Sequence, residues 1–142
     1  MTALILLIED NVDNLQLTTY LLNYYGYQII SAVTGKEGIR LVEEKTPDLI
    51  LCDVDLPDIS GYEVAKIIKN NLLINKIPLI AITALSMQSD KQRISESGFD
   101  LYISKPINPQ KFIEEIAGIL EKEKFELPTQ TFSSNPSAEG KT

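Results

Sequence analysis

Short apolar runs alternate with stretches of helical period from the start of the chain to about residue 122. Residues 3–8, 28–33, 48–53 and 100–104, and the run Leu79-Ile80-Ala81-Ile82 behind Pro78, read as strands. A brief run that stays apolar at every position marks a strand buried on both faces. The segments between them place apolar residues three and four positions apart, the period of a helix with one buried stripe. Five such alternations predict a doubly wound α/β domain, a parallel sheet covered by helices on both faces.

Start and stop signals sharpen the boundaries. The first helix, 13–25, carries Leu15, Leu22 and Tyr25 on one side and stops at Gly26, a suitable residue just past a helix end. Thr34-Gly35-Lys36-Glu37 and Ser60-Gly61-Tyr62-Glu63 both have capping-box spacing, and the second opens a helix predicted to turn Val64, Ile67 and Ile68 inward. Asn108-Pro109 starts the last helix with Pro at its first position, and Phe112, Ile113, Ile116, Ala117 and Leu120 form the expected buried stripe. Helix 86–97, with little apolar beyond Met87 and Ile94, is the weakest, is expected to end at Gly98, and suits an element that shifts at low cost. Gly38 inside the second helix costs about 1 kcal/mol relative to Ala and reads as a softening of that helix. Residues 1–124 thus form one domain, and the Pro-, Ser- and Thr-rich residues 125–142 a polar tail expected to be disordered.

Composition narrows the chemistry. A chain of 142 residues with 44% apolar and 23% charged positions is an ordinary soluble domain, with no apolar stretch near the ~20 residues of a membrane span. No basic region precedes the first strand, so no signal peptide is read. The single cysteine, Cys52, excludes an internal disulfide and points to a reducing, cytoplasmic setting. A net charge of −7 argues against a nucleic-acid surface. Histidine is absent, which removes His-based catalysis and His metal ligation.

Candidate chemistry gathers where the strands end. The first run closes on Glu9-Asp10, the third on Asp53, the fourth on Thr83 and the fifth on Lys105. If the strands are parallel these residues share one edge, where ligands bind in open α/β sheets. Carboxylates crowded in a low-dielectric crevice either take up protons or bind a cation. Oxygen-only ligands favour a hard ion, with Mg²⁺ the usual choice, and Mg²⁺ leaves positions open for phosphate oxygens. An aspartate is an established phosphoryl nucleophile, and a hydroxyl and an ammonium can receive the remaining oxygens. Taken singly, Asp10 could belong to a turn with Asp13 as the next helix cap, Thr83 could be an ordinary strand end and Lys105 a surface lysine. The four strand ends together, Asp53 included, describe a phosphoryl-accepting site.

The set Ile8-Glu9-Asp10-Asn11, Asp53-Val54-Asp55-Leu56-Pro57 with Gly61, Thr83-Ala84 and Lys105-Pro106 resembles the response-regulator receiver domains, the CheY-like family, over residues 3–122. The resemblance implies a five-stranded parallel sheet in order 2-1-3-4-5 with five flanking helices. It implies Asp53 as phosphoacceptor, Glu9, Asp10 and Asp53 with the backbone carbonyl of Asp55 around Mg²⁺, and Thr83 and Lys105 as partners of the phosphoryl group. Tyr102 matches the aromatic that turns inward on activation, and the Lys105–Pro106 bond matches a position that is typically cis. The positions that tune phosphoryl lifetime in the family fall on Asp55 and Leu85. The function implied is two-component signalling. A partner sensor histidine kinase or histidine phosphotransfer protein donates the phosphoryl group, and a downstream protein target binds the face of the fourth helix, fifth strand and fifth helix. The chain is expected to act as a stand-alone receiver, monomer or weak dimer, catalysing only its own phosphorylation and dephosphorylation.

Rival readings fare worse. Asp53-Val54-Asp55 imitates the Asp-x-Asp motif of haloacid-dehalogenase-type phosphatases, but that motif should follow the first strand. A receiver fold that works as an interaction module without the chemistry should lack one of the acids, the Thr or the Lys. A flavin site needs a Gly- and hydroxyl-rich loop where Glu9-Asp10 stands.

Overall fold

The computed structural model describes residues 2–84 and 88–124. Leu85, Met87 and the tail expected over 125–142 lie outside these residues. The chain alternates strand and helix as β1 (Leu4–Ile8), α1 (Val12–Tyr24), β2 (Gln28–Ala32), α2 (Gly35–Lys45), β3 (Leu49–Asp53), α3 (Gly61–Lys69), β4 (Leu79–Thr83), α4 (Gln88–Ser97), β5 (Leu101–Ser104) and α5 (Pro109–Lys124). All strand pairs are parallel and the sheet runs β2-β1-β3-β4-β5, as the resemblance implied.

Alternation along the strands divides the core in two, because successive side chains point to opposite faces. Leu6, Ile8, Ile50, Cys52, Leu79 and Ala81 face α2, α3 and α4, packing on Val42, Val64, Ala65, Ile68 and Ile94. Ile5, Leu7, Leu49, Leu51, Ile80, Ile82 and Ile103 face α1 and α5, packing on Leu22, Phe112 and Ile116. β3 and β4 are buried at every position, so their unbroken apolar runs are what a central parallel strand requires. Among the described residues no helix is long and apolar enough to cross a membrane.

The helix signals hold at their ends more than along their faces. Thr34 and Ser60 accept the N–H groups of Glu37 and Glu63 at 3.1 and 3.2 Å, and Asn108 accepts that of Lys111 at 3.0 Å. Gly26 and Gly98 take positive φ values of 94° and 109° just past α1 and α4, as the stop signals required. α1 starts one residue earlier than expected, because Asn11 is its cap and accepts from Asn14 N–H at 2.9 Å; Asp13 lies in its first turn. Three residues assigned to buried stripes are exposed: Tyr25, which has become the α1 C-cap, Ile67 and Ala117. Each sits at the margin of its stripe, where a 3.6-residue period rotates a side chain off the contact line; Thr18, Ala65 and the partly buried Ile119 fill the helix contacts instead.

Gly38 is no mere soft spot. A Cβ there would lie 2.8 Å from Ile8 Cγ1 and closer still to Cδ1, so the glycine lets α2 settle onto the end of β1.

Candidate functional site

Parallel strands bring their C-terminal ends to one edge, and the topology switches direction between β1 and β3. Glu9 and Asp10 leave β1 there, Asp53 ends β3 beside them, Thr83 ends β4 and Lys105 follows β5. Glu9, Asp10 and Asp53 each offer a carboxylate oxygen, all within 4.8 Å of one another. Glu9 and Asp53 are only 3% and 4% exposed, whereas Asp10 is at the surface. The Lys105 ammonium reaches into the cluster, 2.8 Å from Asp53 Oδ2 and 3.4 Å from Glu9 Oε1.

The loops supply the remaining contacts. Asp55 N–H donates to Asp53 Oδ1 at 2.8 Å, and Asn11 N–H donates to Glu9 Oε2 at 3.2 Å. Thr83 is buried, and its carbonyl accepts the N–H of Lys105 at 2.8 Å, so hydroxyl and ammonium are carried on directly bonded backbone. The Lys105–Pro106 peptide is cis. Tyr102 is half-buried on β5 opposite Ala81, packs against the core on the α4 side and has the Lys91 ammonium 5.9 Å from its ring centre. Asp55 is exposed.

Charge crowding shows in the ionisation of these groups. Burial pushes the Glu9 carboxyl up to about 7, and its hydrogen bond with Asp53 adds to the rise. Burial works to lower Lys105, but the hydrogen bond and charge of Asp53, with Glu9 behind, outweigh it and hold the ammonium above its ordinary value. Burial likewise raises the Cys52 thiol, on the opposite face of β3, and leaves it inert at neutral pH. Carboxylates crowded this closely, with one of them pushed upward by burial and by its neighbour, make a site that favours added positive charge. Its all-oxygen donors and its open side fit a hard divalent cation such as Mg²⁺.

Two supporting residues had no reading of this kind from the sequence. A Cβ on Gly61 would lie 2.5 Å from the Asp53 carbonyl oxygen and 2.6 Å from Val54 Cα, so only glycine lets α3 begin directly under the Asp53 backbone. Asp58 accepts Gly35 N–H at 2.8 Å and Lys36 N–H at 2.9 Å, capping α2 from the loop after β3. The signal available was an acid in a turn; its partners are more than twenty positions upstream and not legible from local pattern.

Residues 5–117 match the family described as the response regulator receiver domain. The polar-differentiation response regulator DivK of Brucella ovis is 42% identical over 120 residues, spanning 84% of this chain and 98% of that relative. Among solved structures, a CheY-like response regulator receiver domain protein from Methanospirillum hungatei aligns with a TM-score of 0.81 at 29% identity, covering 89% of this chain and 99% of the other. The receiver domain of a sensor histidine kinase from Pseudomonas aeruginosa, with a magnesium ion coordinated in its active site cleft, aligns with a TM-score of 0.75 at 30% identity, covering 86% and 97%.

Proposed function

Because the chain belongs to the response regulator receiver domain family, we propose that it accepts a phosphoryl group on Asp53 from the phosphohistidine of a sensor histidine kinase or histidine phosphotransfer protein. The observation that carries this is the convergence on Asp53: an ammonium at 2.8 Å and two further carboxylates within 4.8 Å, all at the C-terminal edge of a parallel sheet.

In this reading Asp53 attacks phosphorus in line, the phosphorus–nitrogen bond breaks and the imidazole keeps the electron pair. Lys105 follows the charge from the carboxylate to the phosphoryl oxygens, a short move from its present hydrogen bond. Glu9, Asp10 and Asp53 would hold Mg²⁺, with the Asp55 carbonyl as a further ligand. When bound, the ion offsets charge on the transferring group. The Thr83 hydroxyl takes a phosphoryl oxygen, and its movement frees Tyr102 to turn inward. A population shift of the α4–β5–α5 face follows, which a downstream protein target reads. Two features support that route: Tyr102 already packs against the core on the α4 side, and Ile94 is the one buried apolar side chain of α4 among the described residues. We take residues 1–124 as the signalling unit, working in the cytoplasm.

The test is intact mass after incubation with Mg²⁺ and phosphoramidate, wild type beside Asp53→Asn. A single phosphoryl adduct that needs Mg²⁺ and is absent from the variant is expected. An adduct that persists in Asp53→Asn would move the acceptor elsewhere, and no adduct on folded wild type would sink the phosphoacceptor reading.

A further inference from the structure

We propose that Asp58 is a positioning residue for this site, tying the loop that carries Asp55 to the first turn of α2 and so fixing where the Asp55 carbonyl can meet a metal ion. The inference rests on the functional reading above and adds to it a residue outside the charged cluster. Asp58 spends its carboxylate on α2, one oxygen to Gly35 N–H and the other to Lys36 N–H. Both bonds are charge-assisted, and both end at the positive pole of a helix. Desolvation works to raise the Asp58 carboxyl, yet the N–H groups of Lys36, Gly35, Ile59 and its own residue bring it down to about 2.

The loop transmits this anchor. At its base Gly61 N–H donates to the Val54 carbonyl at 2.9 Å, and Gly61 lies tight under the Asp53 backbone. At its tip Ile59 covers Gly35 so closely that a Cβ there would sit 2.7 Å from Ile59 Cγ1. Between the two, Asp55 is exposed and linked to Asp58 only through Leu56-Pro57. Proline fixes its own φ and confines the residue before it to extended backbone, so that short link is stiff. Asp55 is therefore held from both sides, its own N–H by Asp53 Oδ1 and the chain that follows it by Asp58. α2 also reaches the other acids, since Gly38 receives Ile8, the residue before Glu9. One helix thus braces both acid-bearing segments.

The experiment is Mg²⁺ titration by calorimetry of wild type, Asp58→Ala, Asp58→Asn and Thr34→Ala, with amide exchange measured at Asp55 and Leu56. Thr34→Ala removes the ordinary cap of α2, Thr34 Oγ1 to Glu37 N–H, and leaves the loop tie intact. Asp58→Ala should weaken Mg²⁺ on the order of tenfold, the usual effect of losing a residue that orients a ligand. Asp58→Asn, which keeps one acceptor oxygen, should fall between, and Thr34→Ala should bind as wild type. Amide exchange at Asp55 and Leu56 should quicken most in Asp58→Ala, less in Asp58→Asn, and not in Thr34→Ala. Equal losses in Asp58→Ala and Thr34→Ala would overturn the proposal, as would a loss that disappears in high salt, the mark of missing charge. Should wild type bind no Mg²⁺, the functional reading falls, and unchanged exchange in Asp58→Ala would overturn the tie independently of it.

Discussion

The two edges of the sheet use the same residue type in opposite ways. At the N-terminal edge Asp48 accepts the N–H of Leu4 at 2.7 Å, and Asp100 accepts the N–H of Leu79 at 2.8 Å while pairing with Lys69 at 3.0 Å. At the C-terminal edge Glu9, Asp10 and Asp53 converge on one another, with Lys105 as the cation that reaches them. Backbone polarity explains the difference. A parallel strand begins with N–H groups that lack a partner, and a carboxylate completes them. At the C-terminal edge the N–H groups of Glu9 and Lys105 are already taken by the carbonyls of Ala32 and Thr83, so the acids there depend on loop N–H groups and cations. Carboxylates at one edge complete backbone hydrogen bonds, and at the other they crowd around the Lys105 ammonium.

The contrast can be broken at its strongest point. Asp100→Ala strips the acceptor from a buried strand N–H and an ion-pair partner from Lys69, and should cost about 3 kcal/mol in urea denaturation. Mg²⁺ affinity should stay unchanged, and a change would mean that the two edges are coupled.

Removing an acid from the other edge should act in the opposite sense. Folding raises the Glu9 carboxyl from 4.5 to about 7, chiefly by burial and then through Asp53, so the native state binds more protons than the unfolded chain between those values. Stability measured in EDTA should therefore fall as pH rises from about 4.5 to about 7 and level off above. Glu9→Gln should flatten that decline and raise the melting temperature at neutral pH by several degrees, while abolishing the stabilisation that Mg²⁺ gives wild type. A destabilised Glu9→Gln would show that the acid edge is structural after all.

Smaller effects sharpen the picture. Asp48→Ala, which exposes the Leu4 N–H at a more open position, should cost about 1 kcal/mol. Gly38→Ala sets overpacking against Ile8 against a gain in helix propensity of about 1 kcal/mol, for a net loss of about 0.5–1 kcal/mol. Adding Ile8→Val, which removes the Cδ1 contact, should make the pair cost less than the sum of the two single changes. Additive effects of the pair would mean that α2 does not press on the end of β1.

Local pattern made much of this visible. The five apolar runs, the Thr34, Ser60 and Asn108 starts and the Gly26 and Gly98 stops lie within a few residues of the groups that they satisfy, so the chain displays them directly. The acids, Thr83 and Lys105 were legible because each ends an apolar run. Tyr25, Ile67 and Ala117 depart from the expected stripes because the margin of a stripe depends on what packs beside the helix.

By itself, then, the chain determined the order of its elements and which residues would stand at the C-terminal edge, since strand length and period are local properties. Only the tertiary structure decided the rest. Asp58 reaches α2, Gly38 receives Ile8 and Glu9 is buried against Asp53 with its carboxyl pushed upward, because each depends on segments tens of residues apart meeting at ångström distances.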